Sequence, residues 1–450
     1  MSNTKENKMG VMPIPKLLIS MSLPMIISML VQALYNIVDS MFVAQLNEAA
    51  LTAVSLAFPI QNLMIAVASG TGVGINALLS RSLGEKNFDR ANRVASNGVF
   101  LAIVSSIVFA LLGIVGSRFF FEAQTADPQI IEYGTQYLSI ITIASIGIFL
   151  QITFERLLQS TGKTIFNMIT QGLGAIINII LDPILIFGWF GLPAMGVTGA
   201  ALATIIGQIC GASLGMLFNA KYNHEISVKI REFKLCTESI KSIYKIGVPS
   251  ILMQSIGSIT TFCMNNILLM FSSTAATVFG VYFKLQSFVF MPIFGLTNGM
   301  IPIIAYNYGA KNKKRIYKTI TISIMIAVGI MILGVIAFQI LPATMLGLFD
   351  ASEHMLEIGI PALRTISLSF AFAGYCIICS CVFQALGNGV YSLLISASRQ
   401  LFVILPVAFT FAKLFGLHMV WWSYPIAEIL AVIMCTIFLR KILKEKIDIL

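Results

Sequence analysis

Long apolar runs dominate this sequence and restrict what it can fold into. Twelve stretches are each long enough to cross a bilayer as a helix, which takes roughly 20 mostly apolar residues. These stretches are 15–42, 54–80, 93–117, 134–156, 163–188, 194–220, 243–270, 276–306, 316–341, 357–382, 389–414 and 418–440. Only 11% of the residues are charged, whereas soluble domains carry about 25%. We therefore predict an all-α integral membrane protein with twelve transmembrane helices. Runs of this length exclude a membrane β-barrel, whose strands alternate over about ten residues.

The basic residues predict the orientation of the spans. If the N-terminus is cytoplasmic, most of the 29 lysines and arginines lie in cytoplasmic segments, and the opposite segments hold only Arg118, Arg364 and Lys413. This bias follows the positive-inside rule. We expect a multi-pass protein of the cell (plasma) membrane with both termini in the cytoplasm. Topology and anionic membrane lipid explain the net charge of +10, so no nucleic-acid partner is predicted.

The two halves of the chain match at a constant offset of 225 positions, which is half of the 450 residues. The matches include Pro24 with Pro249, Gly84 with Gly309, and Gln159 with Gln384. Each half holds six spans, so both halves cross the membrane in the same direction. Parallel repeats of this kind form two six-helix bundles related by a pseudo-two-fold axis. The predicted segments are an N-lobe (1–220), a cytoplasmic linker (221–242) and a C-lobe (243–450), with the substrate site in the cleft between the lobes.

Polar side chains within the spans of the first half follow helix faces. One stripe is Ser28, Gln32, Tyr35, Asn36 and Asp39, and a second is Gln171, Gly174, Asn178 and Asp182. Lipid is a poor solvent for such faces, so we expect them to line a cavity or an interface. A charge at the bilayer centre costs at least about 2.5–3.5 kcal/mol, which marks Asp39 and Asp182 as candidate functional groups. In the second half they correspond to Met264 and Val407, which predicts an ion site in one lobe. The ion is H⁺ or Na⁺; the alternative is a pair of buried neutral groups with a structural role.

The second half has a polar stripe without a carboxylate. It consists of Gln254, Ser258, Thr261 and Asn265. We expect Lys284 and Arg399 each to pair with a helix carbonyl or a carboxylate rather than with substrate. Glu428 has no evident partner, and a local ion pair or snorkelling beside Arg156 is sufficient for Glu155. The predicted substrate-cavity residues are Gln32, Ser28, Gln171, Gln254, Ser258, Asn265, Lys284 and Glu428. Pro24 and Pro249 are either gating hinges or fixed kinks.

The sequence lacks the motifs of several other functional classes. It contains no Gly-x-x-x-x-Gly-Lys-Ser/Thr loop for ATP and no HExxH or GxSxG motif. Cys376, Cys379 and Cys381 lie in an apolar run without a nearby histidine, so we predict no metal site. We expect a protein that is not an enzyme and needs no cofactor.

Several segments resemble the multidrug and toxic compound extrusion (MATE) family. They are SLPMIISMLVQALYNIVDSMFVAQL at the start, SRSLGEKN, LLQSTGK, NIILDPILIFG, GAALAT, AYNYGAKN and FQALGNG. The resemblance implies secondary active efflux of amphipathic, often cationic drugs, by alternating access and in exchange for a cation. Asp39 with Asn178 and Asp182 resembles the DNA-damage-inducible F (DinF) branch, in which an N-lobe network is linked to protonation, and Thr204 belongs to the matching segment. Tyr35 and Asn36 are assigned to the same ion-coupling group.

The resemblance leaves two points open. The vibrio-type branch carries acidic residues in its seventh and tenth helices, and the corresponding spans here offer no interior carboxylate, which favours H⁺ over Na⁺.

A flippase for lipid-linked precursors, from the related two-lobe superfamily, is the rival interpretation. It requires a strongly basic cavity, for which only Lys284 and Arg399 are available. The expected partners are small-molecule drugs or organic cations, H⁺ or Na⁺, and membrane lipid, and we expect a monomer.

Overall fold

The computed structural model describes residues 6–228, 233–349 and 351–450. Residues 1–5 and 229–232, which belong to the predicted N-lobe and linker, lie outside the described residues, as does residue 350. Within the described ranges the regular structure is helical and no β-strand occurs. The first seven long helices are α1 (Ile14–Ala44), α2 (Glu48–Gly84), α3 (Phe88–Glu122), α4 (Pro128–Ile143), α5 (Ile146–Ser160), α6 (Thr164–Phe187) and α7 (Val197–Tyr222). The other seven are α8 (Thr237–Leu269), α9 (Ser273–Gly309), α10 (Lys313–Ile340), α11 (Glu353–Ser367), α12 (Phe370–Ala385), α13 (Gly389–Phe415) and α14 (Ser423–Ile442).

The helices account for the predicted spans. Nine of the described helices are long and apolar enough to cross a membrane by themselves, and two bent pairs, α4–α5 and α11–α12, raise the number to eleven. The stretch 418–440, which the sequence predicts as the twelfth span, overlaps the 20-residue helix α14, which carries Glu428. The prediction of an all-α membrane protein with twelve transmembrane helices is confirmed.

Two spans that the sequence predicts as single helices are broken in the structure. The stretch 134–156 is the pair α4–α5, bent by 44°, and the stretch 357–382 is the pair α11–α12, bent by 47°. A serine lies at each break. The Ser145 hydroxyl donates to the carbonyl of Ser106 (3.2 Å), and the Ser369 hydroxyl donates to the carbonyl of Ile366 (2.6 Å). These serines have hydrogen-bond partners where the regular helix ladder is interrupted.

The chain divides into two compact units. The first unit contains the described residues of 1–7 and 23–247, and the second contains 8–22 and 248–450. Both α1 and α8 therefore contribute residues to each unit, and the divisions fall beside Pro24 and Pro249. In the second unit, Arg315 donates to the carbonyls of Met9 (2.9 Å) and Met12 (2.7 Å). The lobe boundaries predicted from the sequence, and the hinge role of the two prolines, stay predictions.

Close packing of α6 against α7 shapes the first unit. Gly174 on α6 faces Gly207 on α7, and a β-carbon added to Gly207 would lie 2.7 Å from the Gly174 carbonyl oxygen. Only glycine permits this approach, because any side chain at Gly207 would displace the facing backbone. One turn further along, the helices bring the side chains of Asn178 and Thr204 together.

The corresponding part of the second unit has a different geometry. At the 225-residue offset, Gly174 corresponds to Arg399, which lies in a π-helical segment of α13, Ser398–Ile404. A π-helical segment widens the helix and changes the direction of the side chains that follow it. Such segments are frequent at functional sites.

Candidate functional site

The side chains of Asp39 and Asp182 are neighbours in the first unit and lie close enough to interact electrostatically. Asp182 is fully buried on α6, and Asp39 is partly buried on α1. The amide nitrogen of Asn178 donates to Asp182 Oδ1 (3.4 Å) and to the hydroxyl of Thr204 (3.4 Å). Three buried acceptor atoms in this group have no hydrogen-bond partner: Asp39 Oδ1, Asp182 Oδ2 and Asn178 Oδ1. An oxygen-rich group of this kind can accept a proton or a small cation.

A cavity lies beside this group, within the first unit. Its lining includes five residues of the two predicted polar stripes, Gln32, Tyr35, Gln171, Gly174 and Asn178, together with Thr204. Ile65, Ile148, Ile152 and Ala175 add apolar surface to the wall. A concave site that combines apolar surface with placed polar groups is typical of small-molecule sites.

Glu155 on α5 also lines the cavity, and its surroundings differ from the sequence interpretation. It is 5% exposed and does not snorkel to a surface. It accepts hydrogen bonds from Gln151 Nε2 (3.1 Å), Thr170 Oγ1 (3.3 Å) and Gln171 Nε2 (2.9 Å). Arg156 donates instead to Gln159 Oε1 (2.7 Å) and Ser69 Oγ (3.5 Å). Glu155 therefore bonds to Gln151, Thr170 and Gln171 at the cavity and does not form the local ion pair with Arg156 that the sequence suggested.

Other residues assigned from the first polar stripe lie elsewhere. Ser28 is 1% exposed and donates to the carbonyl of Pro24 (2.9 Å), so its hydroxyl is used within α1. Asn36 is exposed. Neither residue belongs to the wall of the cavity that holds Gln32 and Tyr35. The polar stripe therefore covers a wider face of α1 than the part that lines the cavity.

In the second unit, Arg399 and Glu428 form an ion pair. Arg399 Nη1 lies 2.8 Å from Glu428 Oε1, and the side chains are 23% and 8% exposed. Arg399 Nε and Glu428 Oε2 are buried without hydrogen-bond partners. Glu428 thus has the partner that the sequence left unidentified, and its charge is neutralised inside the second unit.

The remaining candidates of the second unit are dispersed. Gln254 and Asn265 are partly buried on α8, and Ser258 is exposed. Lys284 is also exposed, with its ammonium 5.8 Å from the ring centre of Phe349 rather than beside a carboxylate. The two cations that a flippase would need are therefore an exposed lysine and an arginine already paired with a carboxylate.

Sequence reasoning missed two neighbours of the carboxylate pair. Tyr137 on α4 is 2% exposed and accepts a hydrogen bond from Gln61 Nε2 (2.9 Å). Its hydroxyl is close enough to Asp39 for an electrostatic interaction. A lone tyrosine and a lone glutamine in separate apolar spans give no periodic signal, so only the packing of α2 against α4 reveals them.

Comparison with known proteins places the chain in a family. The MatE family model matches residues 24–184 and 249–410, once in each half. The chain is 30% identical over 417 residues to the multidrug export protein MepA of Staphylococcus aureus, covering 92% of this chain and 91% of that protein. A MepA of Staphylococcus haemolyticus is also 30% identical, over 414 residues, covering 92% of this chain and 90% of that protein. The solved structure of a multidrug resistance MATE transporter in an outward-facing conformation superposes with a TM-score of 0.92 at 25% identity, covering 99% of each chain.

Proposed function

This chain belongs to the MatE family of membrane transporters, and on that premise we propose that it exports amphipathic organic cations in exchange for H⁺, by alternating access. The family resemblance found in the sequence is confirmed, and assignment to the DinF branch stays a prediction. The observation that carries the proposal is the approach of Asp39 to Asp182 in a membrane-spanning bundle. The export of drugs by the MepA relatives supports the substrate class.

The neighbouring carboxylates support H⁺ as the exchanged ion. Two ionised carboxylates side by side repel each other, and a proton bound to one of them removes that repulsion. A one-for-one exchange of H⁺ for a monovalent organic cation moves no net charge, so the pH gradient drives it. A tenfold difference in proton concentration supplies about 1.4 kcal/mol, which supports a tenfold drug gradient.

Proteoliposomes with separate ion gradients test this proposal. The purified protein is reconstituted, and ethidium transport is followed by fluorescence with a pH gradient alone, a Na⁺ gradient alone, or neither. We expect transport with the pH gradient and none with Na⁺ at equal pH on both sides. Transport driven by Na⁺ alone would contradict H⁺ coupling, and no transport under any gradient would contradict export itself.

We further propose that the protein lies in the plasma membrane with both termini in the cytoplasm and works as a monomer. The first unit of one chain contains both the carboxylate pair and the cavity, so a second copy is not needed to complete them. A tag at the C-terminus is expected to resist protease added to intact cells and to be cleaved after permeabilisation. Cleavage of the tag in intact cells would show that the C-terminus lies outside the cell. A dimer mass by light scattering in detergent would contradict the proposed monomer.

A further inference from the structure

The inference concerns Glu155 and rests on the proposed export of organic cations. The carboxylate is 5% exposed, lines the cavity of the first unit, and is oriented by three side-chain donors. These donors, Gln151, Thr170 and Gln171, are all neutral. They fix the position of the carboxylate without adding a positive charge, and Arg156 attracts it only through space, without an ion-pair contact. A buried carboxylate without an ion-pair contact is costly unless a counter-charge or a proton joins it.

The neighbouring arginine is held on another side of α5. Consecutive residues of a helix do not face each other. Arg156 donates to Gln159 and Ser69, and its Cγ would lie 2.8 Å from a β-carbon at Gly72 on α2. This packing keeps the guanidinium against α2, while the carboxylate of Glu155 faces α6. The cavity side of α5 is therefore acidic.

Glu155 and the Asp39–Asp182 pair are separated along α6. Gln171, which binds Glu155, and Asp182 lie on the same helix, α6, and at 1.5 Å per residue they are about 16 Å apart along its axis. Gln171 and Asn178 line the cavity between these two points. Isoleucines and Tyr35 provide the apolar surface that an amphipathic molecule needs.

We propose that Glu155 binds the cationic group of the exported compound, at a site separate from the Asp39–Asp182 pair. Gln151, Thr170 and Gln171 are positioning residues that hold the carboxylate toward the cavity. The proton and the substrate charge then bind at different points of one unit. The second half lacks this site, because Glu155 corresponds to Ser380 at the repeat offset.

Equilibrium binding in detergent tests the proposal with a matched pair of probes. Tetraphenylphosphonium is a permanent cation, and triphenylphosphine oxide has a similar shape without a net charge. We expect Glu155→Gln to weaken tetraphenylphosphonium binding at least tenfold and to leave triphenylphosphine oxide binding within twofold. Glu155→Asp is expected to retain part of the cation preference. Glu132→Gln, which changes an exposed carboxylate on α4, is the control and is expected to bind both probes normally.

The outcomes separate this inference from H⁺ coupling. Unchanged tetraphenylphosphonium binding by Glu155→Gln would overturn it, and so would an equal loss of both probes, which indicates a structural role. Asp39→Asn is expected to bind tetraphenylphosphonium normally; a loss equal to that of Glu155→Gln would show that the two sites are one. These measurements need no ion gradient, so they remain decisive even if transport is not driven by H⁺.

Discussion

Replacing Asp39 by Asn is expected to reduce ethidium export driven by a pH gradient to the level of protein-free vesicles. The amide preserves the size of the side chain and can donate a hydrogen bond to Asp182, but it cannot bind and release a proton. Fluorescence-detected efflux from proteoliposomes, under an imposed pH gradient, measures the effect. The same loss is expected for Asp182→Asn, since either change leaves a single carboxylate.

Two controls make this result specific. Asp89→Asn makes the same chemical change at an exposed carboxylate in the first turn of α3, and we expect its transport to equal that of the wild-type protein. The Asp39→Asn protein is expected to retain its yield and its thermal unfolding midpoint. Undiminished export by this variant would exclude the carboxylate pair as the proton site.

Removing one member of the Arg399–Glu428 pair is expected to lower the free energy of unfolding more than any other single substitution proposed for this protein. Arg399→Ala leaves Glu428 as a buried charge without a partner, which typically costs about 3–5 kcal/mol. The double variant Arg399→Met/Glu428→Leu removes both charges and replaces them with apolar side chains of similar length. Such replacements are often neutral or stabilising. We therefore expect a large fall in the thermal unfolding midpoint in detergent for the single variant and recovery in the double variant.

Lys284, an exposed lysine of the second unit, is the comparison for the stability effect of Arg399→Ala. Lys284→Ala removes an ammonium group near the ring of Phe349, and contacts of this type at exposed sites contribute about 0.5–1 kcal/mol. Its unfolding midpoint is expected to change little. If Arg399→Ala were no less stable than Lys284→Ala, the buried pair would have no structural importance. A double variant less stable than either single variant would contradict the expectation that the two charges compensate each other.

The fold was predictable where the signal is local. Runs of apolar residues fix the number of spans, because a helix must satisfy its own backbone hydrogen bonds in lipid. The breaks at Ser145 and Ser369 were not predictable, since neither contains proline or glycine and the apolar run continues across each. The π-helical segment around Arg399 was not predictable either, because the pattern of hydrophobic residues does not change there.

The candidate site was predictable in part. Helical spacing identified Asp39, Asn178 and Asp182, and the structure brings their side chains together. Glu155 was misinterpreted because it adjoins Arg156 in sequence, whereas adjacent residues of a helix point in different directions. Ser28 illustrates a further limit, since a serine in a helix can satisfy its hydroxyl with the carbonyl four residues earlier.

The pairing of Arg399 with Glu428 has a consequence for how the chain is made. During synthesis α13 reaches the translocon first, with an arginine that costs about 2.5–3.5 kcal/mol near the centre of a lone helix. The next span, α14, brings the compensating glutamate. We therefore expect the last two spans to enter the bilayer together, since a nascent chain that stops after residue 415 has an arginine without its carboxylate partner.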